Sequence, residues 1–224
     1  MSVSVGDVLR RARTILQETT SNGTRWTNME LLDWLNEAYA VVLGIRPGAN
    51  VVTAEMTCVA GTRQAIPAAG ERLIDVIRNT AGSAKGLAVT PILRSQLNAA
   101  RPRWHGEANT DAIEHFLFEA DDPRAFYVYP PATATAKLEV AFSVVPAPHG
   151  MAEAKPDSTQ ALRLPDTYAP ILVDLVLSRA FTKDAEGGAN QARASMHLQA
   201  AQGALGLKIQ GETTSSPNAD AGAQ

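Results

Sequence analysis

The hydrophobic period of this chain changes twice, from helical to alternating at Ala49 and back to helical at Asp166. A chain patterned that way has to place a β unit inside a helical one. Before the first change, Ser4 and Asp7 stand three residues apart, a capping-box spacing in which hydroxyl and carboxylate satisfy the free backbone donors of a helix start. Val5, Val8, Leu9, Ala12, Ile15 and Leu16 then fall on one helical face, with Arg10, Arg11, Arg13 and Gln17 opposite. The run Thr19-Thr20-Ser21-Asn22-Gly23 prefers turns. Thr27 repeats the box with Glu30, and Leu31, Trp34, Leu35, Ala38, Tyr39, Val42 and Ile45 form a second stripe, which Pro47-Gly48 closes.

Past Ala49, Val52, Ala54, Met56 and Cys58 alternate with Thr53, Glu55 and Thr57, which predicts a half-buried strand with Cys58 turned inward. Further strands are predicted over 63–66, 73–78, 116–120, 125–129 and 137–145, with turns at Asp121-Asp122-Pro123 and around Pro130-Pro131, and a short helix within 91–100. The short loops predict a meander of antiparallel hairpins. Residues 146–165 carry five prolines or glycines and no periodicity, the pattern of a surface connection. Asp166 is expected to cap a helix with Pro170 in its first turn and an apolar face from Tyr168 to Phe181, broken at Gly187-Gly188. A last helix over 189–205 presents Ala192, Met196, Ala200 and Gly203 for close helix contact, and Gly206 is expected to stop it. The expected fold is α+β: a discontinuous helical bundle of two N-terminal and two C-terminal helices (1–48 and 166–206). An antiparallel β domain with a short helix and loops is inserted (49–165), and a flexible C-terminal tail follows (207–224), its final dozen residues too polar to order themselves.

Composition narrows the function. With 224 residues, 45% of them apolar, the chain is long enough to bury a core. Its 20 basic and 23 acidic side chains leave a net charge of -3, which supplies no long-range attraction to phosphate. Cys58 is the only cysteine, so no disulfide forms within the chain and a reducing compartment is expected. No basic stretch leads into an apolar run at the start, and the most apolar segment, 40–45, is far short of a membrane span, so neither a signal peptide nor membrane insertion is expected. Thirty-eight alanines against 5% aromatic residues favour closely approaching helices over a core of large rings.

Little catalytic chemistry is legible. His105, His115, His149 and His197 lack a second ligand at helical metal spacing, so no metal site is expected. Glu107, Asp111, Glu114, Glu119, Asp121 and Asp122 form an acidic run that could serve a small hydrolase, but its spacing fits solvated loops better. No GxGxxG, P-loop or GxSxG pattern occurs, and Gly82 to Gly86 is read as a hairpin turn. Arg94, Arg101 and Arg103 beside Trp104 could stack a base, yet the acidic residues that follow favour a salt-bridged surface. No catalytic, cofactor-binding or metal residue is assigned.

Several runs nonetheless share an order and spacing with one family. They are Arg25-Trp26-Thr27-Asn28-Met29-Glu30-Leu31-Leu32-Asp33-Trp34-Leu35-Asn36-Glu37-Ala38-Tyr39, then Leu73 to Asn79, then Pro102-Arg103-Trp104 and Phe126-Tyr127-Val128-Tyr129-Pro130-Pro131. Leu164-Pro165-Asp166-Thr167-Tyr168 and Arg179-Ala180-Phe181-Thr182-Lys183-Asp184 complete the set. Through them the chain resembles the head-to-tail adaptor proteins of tailed bacteriophages, particularly the tubular connector of short-tailed phages. The resemblance implies a non-enzymatic virion protein that forms a ring, twelve-fold in that family, joining the portal protein to the tail nozzle or tail tube and continuing the DNA channel used in genome ejection. It implies a place in the virion neck after assembly in the host cytoplasm, no cofactor, and DNA passing without specific binding. A C-terminal segment that touches the portal is also implied; Leu207, Lys208 and Ile209 are the candidates. Another neck component, a stopper or head-completion protein, is the alternative within the same class.

Overall fold

The computed structural model of the chain describes residues 2–184 and 188–215. Among them are five α-helices and seven strands, an α+β fold. The helices are α1 (Val5–Leu16), α2 (Asn28–Ile45), α3 (Arg94–Ala100), α4 (Ala169–Lys183) and α5 (Gly188–Ser215). The strands are β1 (Val51–Thr57), β2 (Gly61–Ala65), β3 (Arg72–Asn79), β4 (Thr90–Pro91), β5 (His115–Phe118), β6 (Ala125–Ala132) and β7 (Lys137–Ser143). The chain divides into two compact units, 1–46 with 146–224, and 47–145. The proline-rich stretch 146–165, which the sequence pattern grouped with the β domain, lies in the helical unit.

In the helical unit both capping boxes form. Ser4 accepts from the Asp7 amide while the Asp7 carboxylate accepts from the Ser4 amide, and Thr27 and Glu30 do the same for α2. Val5, Val8, Leu9 and Ala12 are fully buried, as are Leu31, Leu35 and Val42. Ile15 and Ile45, at the ends of their stripes, are about half exposed. Arg13, expected on the polar face, turns inward instead. Its guanidinium donates to the carbonyls of Glu18, Thr20 and Ser21 and to Asn28 Oδ1, so it supplies the acceptors of the α1–α2 loop with donors that the loop's own amides do not provide. Helix α4 is buried nearly all round, from Ala169 to Phe181, and packs against α1, α2 and α5. Asp166 does not cap it: a single 3-10 turn, Asp166–Tyr168, leads into α4, and the Asp166 carboxylate accepts from the Val3 amide.

In the β unit the expected β5–β6 hairpin forms, but the rest of the meander gives way to two sheets in which β7 lies between β1 and β3, and β2 pairs with β6. One has the order β1-β7-β3, antiparallel throughout; the other has the order β2-β6-β5-β4, with β4 and β5 parallel. Their facing side chains make one core: Leu73, Val76, Leu138, Val140 and Phe142 from the first sheet, Phe116, Phe126, Val128 and Ala132 from the second. Cys58 joins it at 3% exposure. Strand β6 is buried on both faces, because α3 and Trp104 cover its outer side with Leu97, Leu117 and Tyr129. It also runs straight through Pro130-Pro131, with a cis Tyr129-Pro130 bond, so the expected turn lies after Ala132. Two register shifts interrupt the β3–β7 pairing, and Ile74 and Ile77 lie exposed beside Asp75 and Arg78 while Leu73, Val76 and Asn79 are buried.

Two buried amides close the β unit's loops. Gln64 binds both the amide and the carbonyl of Val59, and Asn79 donates to the carbonyls of Ile113 and Leu87 while accepting from the Ile113 amide. The 82–86 segment turns the chain so that Ala88 comes back beside Arg78, the hairpin geometry its glycines suggested.

Candidate docking surface

Helix α5 carries the three candidate contact residues, and it is longer than its sequence suggests. It continues through Gly206 to Ser215, so Gly206 does not stop it, and Leu207, Lys208 and Ile209 sit within a helix rather than in a flexible tail. Of the glycine pair expected to break the chain, Gly188 opens α5 and Gly187 lies outside the described residues, as do 216–224 of the polar end. The reason for the length is tertiary. Glycine inside a helix costs about 1 kcal/mol relative to alanine, but the stripe that α5 lays on α4 continues past Gly206. Ala194, Ala201 and Leu205 are buried. His197 Nδ1 meets Asp174 Oδ1 at 2.8 Å with its ring stacked on Phe181, and the Lys208 ammonium lies 4.7 Å from the Tyr168 ring and donates to Thr167.

The small residues predicted to make the close helix contact lie elsewhere. Ala192, Met196, Ala200 and Gly203 are exposed, with Met196 57% exposed, so α5 meets α4 through a neighbouring stripe. Leu207 continues the outer stripe and is 72% exposed. Lys208 and Ile209 are half-buried. Of the three candidates, Leu207 therefore projects furthest outward, while Lys208 is tied back to the 3-10 turn that leads into α4. Near the same helix a groove of about 250 Å3 is lined by Trp34, Val41, Leu175 and Leu198.

The first and last of the motif runs meet across the helical unit. Trp26 Nε1 donates to the Ala180 carbonyl at 2.9 Å and its ring packs edge-on against Phe181. Arg25 pairs with Asp184, Lys183 with Glu30 at 2.6 Å, and Arg179 with Glu37. The Glu30 carboxyl is held below its usual range, first by the Lys183 ammonium and further by the Thr27 donors. These runs are thus two sides of one α2–α4 seam.

The candidate chemical sites resolve into structural duties. Three of the six acidic residues have basic partners: Glu119 pairs with Arg94, Asp122 with Arg63, and Glu107 with Arg101 and the Tyr129 hydroxyl. Trp104 is 1% exposed, stacked on His105 and edge-on to Tyr127 and Tyr129, so it offers no face to a base. Arg94 and Arg101 lie over Tyr127 and Tyr129 as cation–π partners. Burial pushes the Cys58 thiol up to about 11, away from nucleophilic thiolate. Among the described residues no three His, Cys, Asp or Glu side chains gather as metal ligands, and no helix is long and apolar enough to cross a membrane.

A two-sheet β unit thus interrupts the helical unit, three ion pairs line the seam between α2 and α4, and a long helix carries an exposed stripe. The chain belongs to the SU10 adaptor protein family, whose model matches residues 3–221. It is a structural adaptor of a bacteriophage virion. No curated protein matches it.

Proposed function

We propose that this protein forms a ring in the neck of the virion, joining the portal protein to the tail and continuing the channel through which DNA leaves. The observation that carries this reading is the family match over nearly the whole chain. In this reading the helical domain is the body around the channel and the inserted β domain stands at the periphery or tail side. The protein has no enzymatic role, and the ring has twelve subunits, as the family resemblance implies. The charge is compatible with the role: twelve protomers of net charge -3 carry about -36 in total, a wall that repels sliding DNA rather than gripping it.

In the same reading Leu207, Lys208 and Ile209 dock on the portal, with Leu207 as the anchor because its side chain is the most exposed of the three. The test is to mix the purified protein with its portal and image the product by electron microscopy. A ring seated on the portal is expected, and an absence of any complex would overturn the reading. Leu207→Asp is expected to leave the fold intact, since the side chain is 72% exposed, and to weaken portal binding at least tenfold. Unchanged binding would remove this segment from the interface and leave the ring proposal standing.

A further inference from the structure

The stretch 146–165 is a strap across the helical unit, and one hydroxyl holds both its ends. Near the first end, Asn36 on α2 clamps His149 through two backbone bonds: its Oδ1 accepts from the His149 amide at 2.8 Å and its Nδ2 donates to the His149 carbonyl at 3.1 Å. The His149 ring is 4% exposed, and its Nε2 lies 3.0 Å from the Tyr39 hydroxyl. Near the other end, the Arg163 amide donates to that same hydroxyl at 3.3 Å. Between the two ends the strap grips the start of the chain. Val5 and Gly6 donate to the carbonyls of Gln160 and Ser158, and Leu162 donates to Val3.

This arrangement leaves a charged ring short of an acceptor. The Tyr39 oxygen accepts from Arg163 and still has both a proton and a lone pair, so it can meet His149 Nε2 as donor or as acceptor according to the tautomer. Nδ1, on the other side of the ring, is buried and has no hydrogen-bond partner. Four residues on, Glu153 Oε2 is also buried without a partner. A doubly protonated ring carries a hydrogen on each nitrogen, so it would place a buried charge beside Tyr39 with its Nδ1 hydrogen left without an acceptor. We propose that the Tyr39–His149 pair is a pH-sensitive latch: protonation of His149 makes its buried seat beside Tyr39 unfavourable and frees the strap 146–165, with the N-terminal residues paired to it, from helix α2. The carboxylate of Glu153 is the group on the strap that can receive the charged ring once it leaves.

The charges facing the ring act in the same sense overall. Burial is the largest influence and, with Arg163, disfavours the charged ring, while Glu153 favours it; together they hold His149 below its ordinary 6.5. Tyr39 is no competing anion, because burial pushes its hydroxyl up to about 12. The closed strap therefore binds the proton more weakly than the open one. The latch is fully closed above pH 6.5 and weakens as pH falls below it, the open fraction rising up to about tenfold per pH unit until the depressed folded-state value is reached.

Hydrogen exchange of the full chain between about pH 5 and pH 8, corrected for intrinsic rates, reads this directly. Protection of peptides covering 3–6 and 147–163 is expected to fall as pH drops below 6.5, by up to about tenfold per pH unit and levelling off once the depressed folded-state value is passed, while peptides of the β unit hold theirs. His149→Gln keeps an acceptor for Tyr39 without a titrating ring and is expected to flatten that dependence. Strap peptides that track the β unit throughout would overturn the latch, as would a His149→Gln variant with the wild-type pH dependence. Should that variant not fold, the wild-type imidazole decides by NMR. A His149 midpoint below 6.5, shared by the strap amides, supports the latch; one at or above 6.5 overturns it.

Discussion

A Cβ placed on Gly6 would lie 2.5 Å from the Ser158 carbonyl oxygen and 2.7 Å from that of Pro156, both backbone atoms of the strap. The close crossing, rather than any unusual dihedral, requires glycine there. Gly6→Ala is expected to lower unfolding stability by about 1–3 kcal/mol in a urea titration, because rigid backbone has to move. Gly44→Ala, in a helix with open space around the new methyl group, is expected to raise it by about 0.5–1 kcal/mol. An equal effect of the two would sink this account of the strap. At this scale the sequence was most informative where chemistry is local. The capping boxes at Ser4 and Thr27 were legible because donor and acceptor are three residues apart. The inward turn of Arg13 was not, because its partners are loop carbonyls whose directions depend on a fold not yet formed. Nor was the Tyr39–His149 pair, whose members are 110 residues apart.

Among the elements, α5 separates local preference from tertiary demand most clearly. Its glycines and alanines argue for an end at Gly206 and for packing through Ala192, Met196, Ala200 and Gly203. Burial of Leu205 and the anchoring of Lys208 on the turn before α4 carry the helix further and rotate its contact stripe. Leu205→Ala is expected to cost about 2–5 kcal/mol, whereas Met196→Ala on the exposed face should stay within about 0.5 kcal/mol. Removing the α2 cap by Thr27→Ala should cost about 1 kcal/mol. Chemical denaturation of the three variants checks this ranking, and a Met196→Ala loss as large as that of Leu205→Ala would mean the stripes are assigned the wrong way round. The strands follow the same logic. Those with one wet face, such as β7's outward Lys137 and Glu139, were readable by alternation. Strand β6, covered on both sides, gave no alternation to read.

For the whole molecule, the near balance of charge bears on how the adaptor meets DNA. The protein alone is expected to show no measurable retention of duplex DNA at physiological salt in an anisotropy titration, since a net charge of -3 supplies no long-range attraction to phosphate. Tight, salt-sensitive binding would contradict the non-gripping channel. The pairing of Asp122, Glu119 and Glu107 with Arg63, Arg94 and Arg101 works in the same direction, because it offsets three cations that could have met phosphate.

The double change of period determined, without any structure, that a helical chain would be interrupted by strands. The caps determined where α1 and α2 begin, and the ordered set of motif runs pointed to the adaptor family. Each of these rests on residues near one another in sequence, where spacing alone fixes geometry. Tertiary structure decided the non-sequential strand order, the length and facing of α5, the inward turn of Arg13 and the strap buckled by Tyr39. Those features depend on which surfaces distant segments bury against each other, and the free energy of that burial overrides the local preferences of individual glycines, prolines and charges.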